Sequence, residues 1–171
     1  MKFLGGSQPP KSEHIYENKS GYVRFIQNRD YNSEGHLTYI KESKKNKLCS
    51  RYDIMMDKYG EAGKVRFGID GAYNVALAKI QPVDENLQEY IREFFSQEDV
   101  EKYLSNSSIA STRASVSEEN LNNMYIKIPD SIVLANFQNR HHKMIEYILN
   151  IKEENKKLRD LKDLYLKKFF S

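Results

Sequence analysis

A run of positive side chains between residues 41 and 51 is the part of this sequence best suited to binding chemistry. Five of its eleven residues are basic and one, Glu42, is acidic. The basic residues are Lys41, Lys44, Lys45, Lys47 and Arg51. Because clustered cations attract polyanions, the run favours a phosphate-rich partner. A solvated loop that is simply rich in lysine is the alternative interpretation.

Residues 105–117 form a second stretch with binding potential, since they are mostly small and polar and carry one basic side chain, Arg113. A guanidinium group holds several donors in a fixed plane, which suits it to paired acceptors. The stretch has too few apolar residues to fold by itself, so we expect the domain or a ligand to hold it. An ordinary solvent-exposed arginine is the alternative here.

Catalytic and metal chemistry find little support. The sequence has a single cysteine, Cys49, and four scattered histidines, so a Cys/His zinc site is not expected. Neither a Walker loop nor a dinucleotide fingerprint is present. Asp30, Glu42 and Lys44 could be assembled into a magnesium-dependent nuclease site, but in a chain with 30% charged residues this spacing arises easily by chance. We therefore expect no catalytic centre, no metal and no cofactor.

The composition is that of a folded polar protein. The 171 residues suffice for one domain with an appendage, and an aromatic share of 12% is too high for a disordered chain. The net charge of +3 is uneven, with +4 in residues 139–171 and −1 in the remainder. No signal peptide opens the chain and no apolar run approaches the ~20 residues of a membrane span, so we expect a cytoplasmic protein without membrane contact.

Alternating and β-branched patterns predict a mixed sheet that positions these loops. The candidate strands are residues 21–26, 36–40, 48–56, 64–69, 75–80 and 124–128. From Leu87 onward, apolar residues repeat at spacings of three and four, which predicts one short helix followed by a second over residues 98–104. The pattern indicates the α+β class: a mixed-sheet domain with short helices over residues 1–130 and a long helix over residues 131–171.

The long helix is predicted from residue 131 onward, where the chain contains no glycine or proline, and Asp130 or Ser131 is the expected N-cap. Its seam has the alternating three- and four-residue spacing of a coiled coil. The seam residues are Met144, Ile148, Ile151, Asn155, Leu158, Tyr165 and Phe169. A helix of roughly 50 to 60 Å is too long for this domain to cover, so we expect a partner helix, with Asn155 fixing its register.

The order of these segments resembles the specificity subunit of bacterial type I restriction-modification systems. The matching blocks are Gly5-Gly6-Ser7-Gln8-Pro9, Tyr22-Val23-Arg24-Phe25-Ile26 with Asp30, Tyr52-Asp53-Ile54, Tyr59-Gly60, Gly63-Lys64, Gly71-Ala72-Tyr73-Asn74, Ile80-Gln81-Pro82, Asn120-Leu121 and Lys127-Ile128-Pro129. This sequence departs from the family pattern at Tyr52, where the family has glycine, a residue that adopts positive φ far more readily. A full subunit is similar to two such units with antiparallel helices, so one unit implies a dimer or a second half.

The resemblance implies a target recognition domain that reads double-stranded DNA for methyltransferase and restriction subunits and catalyses nothing itself. Cations on phosphates would supply affinity, and forked or amide groups on base edges would supply selectivity. The expected phosphate contacts are Lys11, Lys44, Lys45, Lys47 and Lys64. The expected base contacts are Arg113 with Ser111, Thr112, Gln8 and Arg29, and Tyr59 could stack or contact a phosphate. The rival function is an interaction module or decoy that dimerises through its helix without reading DNA.

Overall fold

Two four-stranded sheets form the body of the protein in the computed structural model, which describes residues 1–109 and 115–170. The first sheet has the order β1 (Lys2–Gly5), β8 (Leu77–Gln81), β5 (Ile54–Asp57), β6 (Val65–Arg66), and all its neighbouring strands are antiparallel. The second has the order β3 (Tyr39–Lys41), β2 (Tyr22–Ile26), β7 (Gly71–Tyr73), β4 (Leu48–Cys49). In the second sheet β2 and β7 are parallel, so the mixed sheet expected from the sequence is confirmed.

The first sheet is buried on both faces, as β5 shows. Successive side chains of a strand point to opposite faces. Ile54 and Met56 therefore pack with the helices α1 (Gln88–Phe95), α2 (Glu98–Ile109) and α3 (Glu118–Asn122), whereas Met55 packs towards the second sheet. Phe95 and Leu104 fill the helical side of this core, and Ile26, Tyr73 and Leu77 fill the side between the sheets. Short 3-10 helices cover Lys11–Glu13, Asn28–Tyr31 and Glu85–Leu87.

The long helix α4 (Ser131–Phe170) has 40 residues and is about 60 Å long. Asp130 is its N-cap, because the Asp130 Oδ1 atom accepts a hydrogen bond from Ile132 N at 2.9 Å. Leu134, Ile145 and Leu149 are its buried residues. Every side chain from residue 150 to residue 170 is exposed. The sequence prediction of a long terminal helix is thus confirmed, and most of its length lies outside the body.

The predicted strand over residues 48–56 is divided by a turn. Ser50 N donates to Asp53 Oδ2 at 2.7 Å, and Asp53 N donates to Ser50 O at 2.9 Å, which reverses the chain between β4 and β5. No described residue other than glycine has a positive φ, so Tyr52 occupies this turn without backbone strain. The glycine of the family pattern is therefore not required here.

Two further predictions from the sequence are wrong. Residues 124–128 form no strand; instead Lys127 O accepts a hydrogen bond from Tyr90 Oη at 2.7 Å, which ties the segment to α1. The second short helix does not end at residue 104, because α2 continues to Ile109 and includes the first part of the small polar stretch. Serines are neutral rather than prohibitive inside a helix, and the Ser108 hydroxyl donates to Ser105 O at 2.6 Å.

Candidate nucleic-acid interface

Five chain segments meet at one end of the body, which we call the loop end: residues 6–8, 27–31, 58–60, 74–76 and 115–117. The parallel strands β2 and β7 both finish there, and Asn74 N donates to Ile26 O at 3.0 Å. On the other side of β7, Tyr73 N donates to Lys47 O at 3.0 Å. The beginning of β4 therefore lies beside the loop end as well.

The glycine pair after β1 lies directly against the β7–β8 turn. Gly6 N donates to Leu77 O and Ser7 N donates to Tyr73 O, each at 3.1 Å. A Cβ atom at Gly6 would stand 1.9 Å from Asn74 O, which is shorter than any non-bonded contact. Residue 6 must therefore be glycine for residues 6–8 to approach the turn this closely.

The turn between β5 and β6 completes the loop end. Lys58 N donates to Ala76 O at 2.8 Å, and Lys58 O accepts from Val116 N at 3.0 Å. The amide of Asn28 donates through Nδ2 to Tyr59 O at 3.2 Å. Main-chain bonds and the Asn28 side chain thus hold the segments together and leave several other side chains free to meet a ligand.

Three residues expected to touch DNA lie at the loop end: Gln8, Arg29 and Tyr59. All three are exposed. The side chain of Arg29 is 56% exposed, and its guanidinium is 3.8 Å from the Asp30 carboxylate. This separation exceeds hydrogen-bond length, so the forked donors of Arg29 can still bind another acceptor.

The predicted phosphate contacts are more dispersed. Lys47 is exposed beside the loop end, but the β3–β4 turn that carries Lys44 and Lys45 begins near the opposite end of β2, where Glu42 N donates to Gly21 O at 2.9 Å. Lys64 forms a close ion pair with Glu61. The remaining candidate, Lys11, begins the first 3-10 helix and is exposed.

Ser111, Thr112 and Arg113, the predicted base contacts, lie outside the described residues. Nearby in the sequence, Val116 is fully buried and its amide is bonded to Lys58 O. The sequence did not single out Lys58 or Asn28, although both lie at the loop end. The one available signal was for Lys58, which directly follows an apolar run and precedes Tyr59-Gly60.

A cluster of charged and amide groups around two buried residues, Arg66 and Asp57, lies beneath the loop end. Arg66 donates to Asp57 Oδ2 from Nε at 3.1 Å and from Nη2 at 2.9 Å. It also contacts Glu61, and its Nη1 atom donates to Asn32 Oδ1 at 3.2 Å. Burial raises the pKa of Asp57 to about 6, although the hydrogen bonds and positive charge of Arg66 act in the opposite direction.

Polar contacts attach the first half of α4 to the body. Gln138 Oε1 accepts from Glu89 N at 2.8 Å, and His142 Nδ1 lies 3.3 Å from Glu89 Oε1. Glu89 is itself paired with the buried Arg92 at 2.6 Å. The ring of Tyr52 packs on His142 with 5.3 Å between centroids. The residue that replaces the family's glycine therefore helps to orient the helix.

Beyond Leu149, a cleft of about 970 Å³ separates α4 from the body. Ion pairs cross it: Lys156 Nζ lies 2.7 Å from Glu34, and Arg51 lies 3.8 Å from Glu153. These groups are half exposed, so each pair contributes little to stability. The second half of the helix is held weakly compared with the first.

Among the predicted seam residues, Asn155 lines the cleft between α4 and the body. The apolar seam residues, in contrast, do not face the body. With about 100° of rotation per residue, they lie roughly 120° around the helix from Leu134, Ile145 and Leu149. The apolar seam residues are all exposed, from 38% for Ile151 to 62% for Leu158 and 66% for Phe169. An apolar stripe therefore runs along α4 with no cover from the described part of the chain.

No group of three or more His, Cys, Asp or Glu residues suited to a metal ion occurs among residues 1–109 and 115–170. Within the same residues, no helix has the length and hydrophobicity needed to cross a membrane.

Comparisons with solved structures show the same fold. The S subunit of a type I restriction-modification system from M. genitalium has a TM-score of 0.62 at 16% identity, over 99% of this chain and 43% of that one. The HsdS subunit from Thermoanaerobacter tengcongensis has a TM-score of 0.59 at 16% identity, over 90% of this chain and 37% of that one. A third structure, described as showing complex assembly and conformational transition of the type I R-M system, has a TM-score of 0.55 at 15% identity. The match covers 97% of this chain and 42% of that one. This chain thus spans about two fifths of their length.

No curated protein sequence matches the chain. The family model of the type I restriction modification DNA specificity domain, in contrast, matches residues 2–163, which is nearly the whole sequence. With the two-sheet body and long helix in agreement, the chain belongs to the family of type I restriction-modification DNA specificity domains.

Proposed function

We propose that this chain reads a short sequence in double-stranded DNA and so selects the site at which methyltransferase and restriction subunits act. It catalyses no step itself in this proposal. The observation that carries the proposal is the loop end, where five segments far apart in sequence are joined by main-chain hydrogen bonds and by the side-chain bond from Asn28 to Tyr59 O. Such a frame fixes the positions from which polar side chains can reach a groove.

The side chains at the loop end suit the two kinds of contact that DNA recognition requires. Lys58 and Lys47 are placed to contact phosphates, and Gln8 and Arg29 carry the amide and guanidinium groups that pair with base edges. One bidentate arginine contact contributes about 1–3 kcal/mol of selectivity. Ser111, Thr112 and Arg113 remain proposed base contacts, because they precede Val116, which is bonded to Lys58.

The stripe on α4 supports a helical partner. We propose that it binds the α4 helix of a second copy, or of a second half-unit, in antiparallel orientation. Within the stripe, Met144 and Leu158 lie seven residues on either side of Ile151. An antiparallel pair centred on Ile151 places Met144 opposite Leu158. Two loop ends would then face two parts of one DNA site.

Selection of bound sequences from a random duplex pool tests the DNA-reading proposal. The full chain should be used with and without the methyltransferase subunits, at moderate and at high salt. We expect enrichment of a half-site of a few base pairs, repeated with inverted symmetry if two copies bind, and an affinity that falls as salt rises. Absence of both enrichment and salt dependence contradicts DNA reading.

The alternative function is an interaction module or decoy that pairs through α4 without recognising DNA. The exposed stripe is equally compatible with this function, since it concerns the helix alone. The same selection separates the two, because a decoy forms helix-mediated complexes and enriches no sequence.

A further inference from the structure

Arg66 joins two segments of the loop end from beneath. The residue lies in β6 and is 8% exposed. It bonds to Asp57 and contacts Glu61 on either side of the β5–β6 turn, and it bonds to Asn32 in the segment that follows β2. We call these four residues the Arg66 cluster. A second tie, from Asn28 to Tyr59 O, joins the same two segments at their tips.

Stability does not account well for this cluster. Removing two charges from water costs several kcal/mol, and a well-packed apolar pair is often as stable as a buried ion pair. Within residues 1–109 and 115–170, the buried Asp57 Oδ1 atom of the cluster has no hydrogen-bond partner, and neither has the Oη atom of the neighbouring Tyr31. What an apolar pair would not reproduce is the directional bonding that fixes one segment relative to the other.

We infer that Arg66 is a positioning residue for DNA selectivity, which sets the distance between the base-reading segment at residues 27–31 and the phosphate-contacting turn at residues 58–60. The inference rests on the proposed function. Arg66 is buried, bonds to residues that directly flank both segments, and does not itself touch DNA in this inference. Selectivity arises when base and phosphate contacts form together, so loosening their spacing affects matched sites more than mismatched ones.

Two variants test this inference against the half-site obtained by selection. Arg66→Lys retains the charge but removes the forked donors. The double variant Asp57→Leu with Arg66→Met replaces the pair by apolar groups. We expect both to lose roughly tenfold in the affinity ratio between the selected half-site and a single-base mismatch, with the double variant unfolding at the same or a higher denaturant concentration.

Arg92→Lys is the matched control, because Arg92 is also buried and ion-paired, but its partners are Glu89 and Tyr52 O, away from the loop end. We expect it to lower stability and leave the affinity ratio unchanged. All variants should keep the wild-type salt dependence, since no phosphate contact is removed.

Three results would overturn the inference. Wild-type selectivity in both Arg66 variants shows that the cluster does not position the segments. If the slope of log affinity against log salt concentration weakens by about one in these variants, Arg66 binds a phosphate directly. If the wild-type chain selects no sequence, the proposed function itself fails, and the inference with it.

Discussion

The loop end and the outer half of α4 are both exposed, but different forces hold them in place. At the loop end, bonds between segments fix the main chain, and the free side chains are polar. In α4 the helix satisfies its own main chain, and the exposed stripe is apolar. The first surface suits a polar ligand that binds and leaves. The second suits a partner that stays, since each large apolar side chain removed from water contributes about 1.5–3 kcal/mol.

The strongest test of this contrast is a charge placed on the stripe. Ile151→Asp puts a carboxylate at the proposed centre of the helix pair, twice in each dimer. We expect at least a roughly 100-fold increase in the dimer dissociation constant, because the buried charge has no partner. The fold should be retained, since Ile151 is 38% exposed in the single chain. Sedimentation equilibrium measures the effect.

Asn150→Asp is the control for the stripe, because it adds the same charge at an exposed position off the seam. We expect it to associate like the wild type. Equal association of the Ile151 and Asn150 variants would show that the stripe is not the interface. A cysteine at residue 151 offers a second readout by disulfide cross-linking. The native Cys49 is buried and its pKa is raised to about 12 by that burial, so it should not react.

The main-chain construction of the loop end is tested by Gly6→Ala. The added methyl group would meet Asn74 O at 1.9 Å, so residues 6–8 must move away from the β7–β8 turn. We expect a loss of about 3 kcal/mol in the free energy of unfolding, measured by denaturant titration, together with weaker DNA binding. Gly35→Ala should change little, because its nearest contact would be Ser33 Oγ at 3.4 Å. Equal losses at both positions would contradict the proposed role of Gly6.

The difference between phosphate and base contacts at the loop end is tested by Lys58→Ala. We expect affinity to fall equally for all sequences and the logarithmic salt slope to weaken by about one. Lys44→Ala should have a smaller effect, because its turn begins at the opposite end of β2. Fluorescence anisotropy at several salt concentrations measures both. A larger effect at Lys44 would move the DNA path towards the β3–β4 turn.

The smallest expected effect concerns the protonation of Asp57, beneath the loop end. The pKa of Asp57 is raised from 3.8 to about 6, so the folded protein binds its proton more tightly than the unfolded chain does. The contribution of Asp57 to stability is therefore greatest below pH 4 and is lost as the pH rises through 6. Relative to Asp57→Asn, the wild type should lose about 1–3 kcal/mol between pH 4 and pH 7. If the difference in the free energy of unfolding between the wild type and Asp57→Asn does not change with pH, the raised pKa of Asp57 is contradicted.

Local patterns in the sequence were sufficient for part of this structure. The long helix is predicted correctly because its cap, its lack of glycine and proline, and its periodicity all lie within one segment. The stripe from Met144 to Phe169 follows from the same periodicity. Asp130 as N-cap is confirmed for the same reason.

Predictions failed where a contact distant in sequence decided the outcome. Residues 124–128 have the composition of a strand, but the neighbour that they meet is α1, and Tyr90 binds Lys127 O instead of a ladder partner. The run from residue 48 to residue 56 was predicted as one strand, yet its two ends belong to different sheets.

The sequence by itself determined the length and spacing of α4 and the glycine pair that resembles the family. Only the tertiary structure decided that β2 and β7 run side by side, that Lys58 meets Val116 and Asn28 meets Tyr59, and that Arg66 is buried between two segments. The physical reason is that periodicity and capping are properties of neighbouring residues. Pairing between distant strands depends on the packing of the whole body, which no local pattern encodes.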